Sequence, residues 1–399
     1  MKVLFAHDHR FVRVGGLFHS RGSFPEGVLA RYAEFFGAVD VICRVDEEIH
    51  TNLPAINRPD IVFHPQRNIR SLIGLKSFRA VNRNVSKLVS DSDAVVARLP
   101  STLGWITARE ARLQGVPCLI EVVGNALETS QLHGSWLGKI VGYFEHGLSR
   151  FEIRKAKTVV YITENYLQSV YPTDGRSFVC PNVRVIRISE SQMAEHQRAR
   201  PRTTNPRIGL IGSLNVNYKG HDVAIDVLKL LLERYNLNGA TLEFAGGGDP
   251  ARWQELARQK NVQNQVRIHG AIAAGEAIMR WIDEMDILLQ PSLTEGQGRA
   301  IIEAMSRGRP VVASNAGGIP ELLDGDWMAE PKDVDRIAER CALLLSEPAT
   351  YQSVSWRNWR KAGQFDLNTV ESVRRDAFRI LRDEFENRDC GNRQRNLCV

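Results

Sequence analysis

Ile287-Leu-Leu-Gln-Pro-Ser-Leu-Thr-Glu-Gly-Gln-Gly-Arg-Ala-Ile-Ile-Glu-Ala-Met-Ser-Arg-Gly-Arg-Pro-Val-Val-Ala313 is the stretch on which the fold turns. Ile287–Gln290 is a short apolar run stopped by Pro291-Ser292, the pattern of a strand buried on both faces. Gly296 and Gly298 then open a segment with helical spacing, Arg299–Arg307, and Pro310–Ala313 is apolar again. Strand, helix and strand in succession are the unit of a parallel sheet covered on both sides. The unit recurs upstream: Ile208–Gly212, a helix over Asp222–Tyr235, Thr241–Ala245 and Val266–His269. It recurs again from the N-terminus, with strands expected at Lys2–Ala6, Val39–Arg44, Ile61–Pro65, Ala94–Ala97, Cys118–Val122 and Thr158–Thr163, and a helix over Pro25–Phe36.

The alternation pauses near Ser189–Asn205, a polar run in which Arg200-Pro201-Arg202-Thr203-Thr204-Asn205-Pro206 reads as a linker. The chain is therefore expected to be α/β, with two doubly wound, Rossmann-like domains, 1–190 and 205–365, facing a cleft. Ligands of such sheets bind beyond the carboxyl ends of the strands, so the loops after strands are where chemistry is sought.

Composition narrows the class. Of 399 residues, 43% are apolar and 25% charged, ordinary for a globular protein. No apolar run approaches the roughly 18 residues of a membrane span. The N-terminal apolar run is short and interrupted by Asp8, so a cytoplasmic location is expected. The six cysteines form no CxxC pair, which predicts reduced thiols and no metal site. Residues 1–200 carry 26 Lys+Arg against 19 Asp+Glu; the remainder carry 26 against 27, so the basic excess lies in the first half. That is either surface scatter or a face that meets an anionic partner.

Three loops carry candidate chemistry. Gly212-Ser213-Leu214-Asn215-Val216-Asn217-Tyr218-Lys219-Gly220 follows a strand and precedes a helix, and places an ammonium beside free backbone N–H groups, a good phosphate site. A solvated lysine in a turn is the plainer alternative. In Glu295-Gly296-Gln297-Gly298-Arg299-Ala300-Ile301-Ile302-Glu303 two carboxylates flank a helix start; each can accept both hydrogen bonds of a vicinal diol. On the carboxylates alone, a capping Glu plus a solvent-facing Glu is the simpler reading. Asn315-Ala316-Gly317-Gly318-Ile319-Pro320-Glu321 reads mostly as structural punctuation, and Gly246-Gly247-Gly248-Asp249 as a turn that can also floor a nucleotide pocket.

Taken together and in order, Gly212–Gly220, Phe244–Gly248, Val266–Gly270 and Pro291–Pro310, with Glu295-x7-Glu303, Ala304-Met305 and Gly308-Arg309-Pro310-Val311-Val312, resemble the glycosyl-transferase group 1 domain over about residues 205–330. The likeness is to family 4 of the retaining glycosyltransferases, of GT-B fold. It implies a nucleotide-diphosphate sugar as co-substrate, no cofactor and no metal. Glu303 would bind the nucleotide ribose and Glu295 the donor sugar. Backbone N–H groups of Gly296, Gln297, Gly298 and Arg299 would hold the diphosphate or sugar, with Lys219 on the diphosphate. Gly212, Ser213, Gly246 and Gly270 would line the donor pocket. Gly15 and Gly16 resemble the glycines over which the first domain closes on the donor. The last helix, 366–386, is expected to cross back to the first domain, leaving 387–399 as a polar tail.

Two departures accompany the resemblance. Ser213 stands where the family often has an arginine. Where it often has a histidine after the strand at Cys118–Val122, this chain has Glu121-Val122-Val123-Gly124-Asn125, so Asn125, and less so His133, is the candidate donor-sugar contact. No Asp-x-Asp pair sits in a suitable loop. On the acceptor side, residues 67–90 hold Arg67, Arg70, Lys76, Arg79, Arg83 and Lys87 and no acid, with Phe78, Val81, Val85 and Leu88 at helical spacing. This is an ordinary surface helix or a peripheral contact with an anionic membrane. The expected activity is sugar transfer to a glycan or lipid-linked acceptor in bacterial surface polysaccharide or glycolipid synthesis. A nucleotide-sugar epimerase of the same fold and a non-enzymatic binder of anionic ligands are the alternatives; nucleic-acid binding lacks a motif.

Overall fold

The computed structural model describes residues 1–20, 24–67, 69, 77–132, 136–198 and 204–397. It contains two compact units: Met1–Cys180 with Glu371–Val399, and Pro181–Val370.

The first unit runs β1 (Lys2–Val14), β2 (Leu17–Ser20), α1 (Glu26–Phe36), β3 (Ala38–Glu47), β4 (Ala55–Ile56), β5 (Ile61–Pro65), α2 (Phe78–Ser90), β6 (Ala94–Leu99), α3 (Thr102–Gln114), β7 (Cys118–Val122), α4 (Ala126–Gln131), α5 (Trp136–Lys155), β8 (Thr158–Tyr161), α6 (Tyr166–Val170) and β9 (Arg176–Val179). Strands β5-β3-β1-β6-β7-β8-β9 pair in parallel. The central strands are apolar because helices cover both faces: every residue of β6 and of β8 is buried.

β1 is longer than the Lys2–Ala6 strand expected from sequence. Beyond Ala6, the last residue paired with β6, it shifts register and continues to Val14, then turns into antiparallel β2. Gly15 and Gly16 are the two-residue turn of that hairpin. Their φ angles of 56° and 87° are those the turn demands, so the hairpin by itself accounts for both glycines.

α2 buries Val81, Val85 and Val89, with Phe78 stacked on Trp105 of α3 and Gln114 bonded to Ser86. Its apolar side is thus used within the unit, and the exposed positions are Arg79, Ala80, Arg83, Asn84, Lys87 and Ser90. Residues 68 and 70–76, including Arg70 and Lys76, lie outside the described residues.

The second unit contains α7 (Glu190–Arg198), β10 (Arg207–Ile211), α8 (His221–Glu233), β11 (Thr241–Ala245), α9 (Ala251–Gln259), β12 (Val266–Gly270), α10 (Glu276–Glu284), β13 (Ile287–Gln290), α11 (Arg299–Ser306), β14 (Val311–Ser314), β15 (Met328–Ala329), α12 (Val334–Ser346) and α13 (Pro348–Ala362). Its sheet is parallel in the order β12-β11-β10-β13-β14-β15. Leu242, Phe244, Ile287 and Leu289 point to one core, and Ala245, Leu288, Val311 and Ala313 to the other.

Two boundaries differ from the sequence reading. The polar run after Ser189 is not all linker: α7 occupies Glu190–Arg198 because Met193, fully buried, packs where a Cβ on Gly308 would stand. One apolar anchor in a polar segment leaves no periodic signal. The C-terminal helix α14 is continuous over Leu367–Leu397, so the helix expected to end at 386 runs on through 387–397. From Glu371 onward it belongs to the first unit, where Phe378 packs against Tyr32, Phe35 and Phe36.

Candidate active site

In the second unit, β10 and β13 are neighbours in the sheet but far apart in sequence, and their following helices leave in different directions along the strand order. This is the switch point at which a crevice opens beyond the strand ends. The loops after these two strands are 212–220 and 291–298, the two glycine-bearing motifs of the sequence.

They clasp each other. Leu293 N–H donates to the Tyr218 carbonyl at 2.7 Å. Gly220, with φ 74°, caps α8 so close to the other loop that a Cβ there would lie 2.0 Å from the Pro291 carbonyl oxygen. The lysine stem crosses the end of β10 over Gly212, where a Cβ would sit 2.9 Å from the Lys219 Cγ. Lys219 Nζ then donates to Glu295 Oε2 at 2.6 Å, the two side chains being 20% and 14% exposed. Ser292 Oγ donates to the same carboxylate oxygen at 3.3 Å.

The floor is made of glycines at three strand ends. Gly212 N–H donates to the Ala245 carbonyl and Gly246 N–H to the Gly270 carbonyl; a Cβ on Gly246 would stand 1.8 Å from the Gly212 oxygen. Ser213 Oγ is turned onto the Gly247 carbonyl at 3.3 Å. Beneath the lysine loop, His221 stacks on Trp253 at 4.8 Å, and burial pushes its pKa down to about 4, so the imidazole is neutral.

Gly298, φ 76°, caps α11, whose first N–H groups have no partner within the helix. Those groups and the helix dipole favour an anion at that end. Glu303 stands one turn along, four residues after Arg299. Burial raises its pKa, and Arg299 pulls the other way. The Gln297 side-chain oxygen is engaged within the unit, Oε1 accepting from Asn182 N–H at 3.0 Å and Val183 N–H at 3.4 Å.

The structure therefore brings Lys219, Glu295, Gly212, Ser213, Gly246, Gly270, Gly296, Gly298, Arg299 and Glu303 onto one sheet edge. Gly15, Gly16 and Asn125 belong to the first unit. Asn125 caps α4, its Oδ1 accepting from Leu127 N–H at 3.1 Å and its Nδ2 donating to Tyr166 Oη at 3.0 Å. One amide hydrogen is left over from those roles. His133 lies outside the described residues.

Sequence reading undervalued one loop. Gly318 N–H donates to the Glu295 carbonyl at 3.1 Å, and Gly317, φ 55°, leaves no room for a Cβ, which would lie 1.8 Å from that oxygen. The segment read as punctuation holds the backbone of Glu295. Two successive glycines after a strand were the available signal. Ser292 and His221 gave none, since nothing local tells a loop serine or a helix-first histidine from its neighbours.

Residues 205–347 match the family model described as Glycosyl transferases group 1. The chain is 34% identical over 389 residues to Protein CapJ of Staphylococcus aureus, covering 95% of each. It is 35% identical over 139 residues to the O-antigen chain mannosyltransferase B of Escherichia coli, 35% of this chain and 36% of that one. HepE of Anabaena, crystallised with UDP and glucose, superposes with a TM-score of 0.67 at 17% identity, over 96% of this chain and 100% of that one, a likeness of fold. The match to the group 1 model over 205–347 and the end-to-end likeness to CapJ make the protein a member of the group 1 glycosyltransferase family, with the GT-B fold.

Proposed function

We propose that the protein transfers a sugar from a nucleotide-diphosphate donor, with retention and without a metal, to a glycan or lipid-linked acceptor. The observation that carries this reading is the Lys219–Glu295 pair, half-buried at the switch point beside the open N-terminus of α11. Without donor the two charges satisfy each other. With donor, the ammonium swings to the diphosphate oxygens, where negative charge grows as the bond to the anomeric carbon breaks. The freed Glu295 accepts from sugar hydroxyls and Glu303 from the ribose diol. The acceptor hydroxyl oxygen bonds to the anomeric carbon on the face the phosphate leaves, and its proton passes to a departing phosphate oxygen. Asn125, and Gly15-Gly16, would contribute from the first unit. Localisation in the cytoplasm, at the inner face of the membrane, fits this chemistry; no helix among the described residues is long and apolar enough to cross a membrane. A role in surface polysaccharide or glycolipid synthesis fits the O-antigen relative.

The test is a thermal-shift panel of nucleoside diphosphates and nucleotide sugars. A ligand at 100 times its Kd adds about 2.7 kcal/mol, and Glu303→Ala is expected to lose most of that shift. A panel in which no nucleotide stabilises the wild type refutes the reading. Loss of transfer in chelator, restored by Mn²⁺, refutes its metal-free part, and an inverted anomeric proton signal in the product refutes retention.

A further inference from the structure

Of sixteen exposed large apolar side chains among the described residues, eight lie between positions 132 and 151. Most belong to one helix, α5. Trp136, Ile140, Tyr143, Phe144, Leu148 and Phe151 recur every three to four residues, so they form one stripe along its outer side. Trp136 and Phe144 are 68% and 69% exposed. The opposite side is used within the unit: Ser149, Glu152 and Ile153 are buried, and Glu152 pairs with Arg112 at 2.9 Å. The stripe is thus not a core face left open by accident of packing.

The exposed charges of the helix itself are of one sign, with Arg154 near its end met by Asp174 of a neighbouring loop at 3.4 Å. Lys139, Arg150 and Lys155 are exposed on the same helix. Its two acids point elsewhere, Glu145 accepting from Thr102 Oγ1 at 3.2 Å and Glu152 held by Arg112. Aromatic residues along the middle and cations at the margin are the composition of a helix lying in the headgroup region of an anionic bilayer. A self-associating or protein-binding face would be depleted in lysine as well as in acids, whereas Lys139 and Lys155 stay exposed on this helix. The basic helix α2, by contrast, has no apolar side left to insert.

We infer that α5 is the surface by which this protein lies on an anionic membrane, with Trp136, Tyr143, Phe144 and Phe151 entering the interface and Lys139 and Arg150 meeting lipid phosphates. The inference deepens the membrane-side location proposed above, yet its test does not depend on sugar transfer. The full chain is floated with vesicles of phosphatidylcholine, with and without roughly one third phosphatidylglycerol, at low salt. Wild type is expected to float with the anionic vesicles and to be released by high salt. Phe144→Ser/Phe151→Ser is expected to lower partitioning about tenfold or more. Lys139→Glu/Arg150→Glu, confined to exposed positions and so safe for folding, is expected to lower it about fivefold per charge. Both variants should keep the wild-type nucleotide thermal shift. Three results overturn the inference: no flotation of wild type; flotation unchanged by both α5 variants but lost in Arg79→Glu/Arg83→Glu/Lys87→Glu on α2; or a concentration-dependent dimer in light scattering that Phe144→Ser/Phe151→Ser dissolves, which assigns the stripe to a second copy.

Discussion

Both units carry charged side chains near the carboxyl ends of their central strands, yet the two groups behave differently. In the first unit Arg98 of β6 donates to Glu121 of β7 through Nε at 2.9 Å and Nη2 at 2.6 Å, and Tyr32 Oη donates to the same carboxylate at 2.7 Å. Arg98 and Glu121 are 7% and 4% exposed. Burial alone would raise the Glu121 pKa, but Arg98, then Arg31 and Arg374, outweigh it and hold the carboxyl at about 2. Arg374 comes from α14, so this network fastens the C-terminal helix into the unit. In the second unit Lys219 and Glu295 are as close but remain reachable, on loops whose glycines let backbone approach a ligand. Charge at a strand end is therefore not the signature of a site. A network closed on itself stabilises; a pair that a ligand can enter and replace does chemistry.

The sharpest way to break this contrast is to cut one carboxylate in each unit. Glu121→Gln leaves three buried guanidiniums short of their anion and should cost about 3–5 kcal/mol of stability, read from urea denaturation, while the folded fraction keeps near-normal transfer. A stable Glu121→Gln protein with lost transfer would move Glu121 into the site. Lys219→Ala should do the reverse: kcat/KM down about 10²–10³-fold, with an unfolding midpoint close to wild type.

The two glutamates also respond oppositely to acid. The folded pKa of Glu121, about 2, lies below the ordinary 4.5, so its stabilisation is complete above 4.5 and fades only as pH falls toward 2. Glu303 is shifted upward, and a ribose diol needs its carboxylate form. Nucleotide affinity should thus weaken severalfold as pH falls through the raised Glu303 value, while the protein is still fully folded. Titration calorimetry across that range checks it, and Glu303→Gln should flatten the curve. Equal acid sensitivity in wild type and variant would place the responsible group elsewhere.

Much of the site was legible in sequence because its elements are local. Gly212, Lys219, Gly220, Glu295, Gly298 and Glu303 sit in short loops between strand and helix, where residue type and spacing carry the meaning. The hold of the Gln297 side-chain oxygen on Asn182 and Val183 could not be read from sequence, because those residues lie more than a hundred positions away. Gly317 and Gly318 were underread because their partner, Glu295, is more than twenty residues away. Asn125 is a candidate donor contact only through the family resemblance, and the fold reveals its work in capping α4.

By itself the sequence determined the alternation of strand and helix, the two-domain α/β class and the identity of the charged groups, since periodicity and turn chemistry are short-range properties. Tertiary structure alone decided that β10 and β13 adjoin, that Lys219 meets Glu295, and that α2 hides its apolar side while α5 displays one. An apolar stripe at helical spacing looks the same in sequence whether a core or a membrane is to cover it. Which neighbour arrives is set by strand order and packing, and those join residues that the chain keeps far apart.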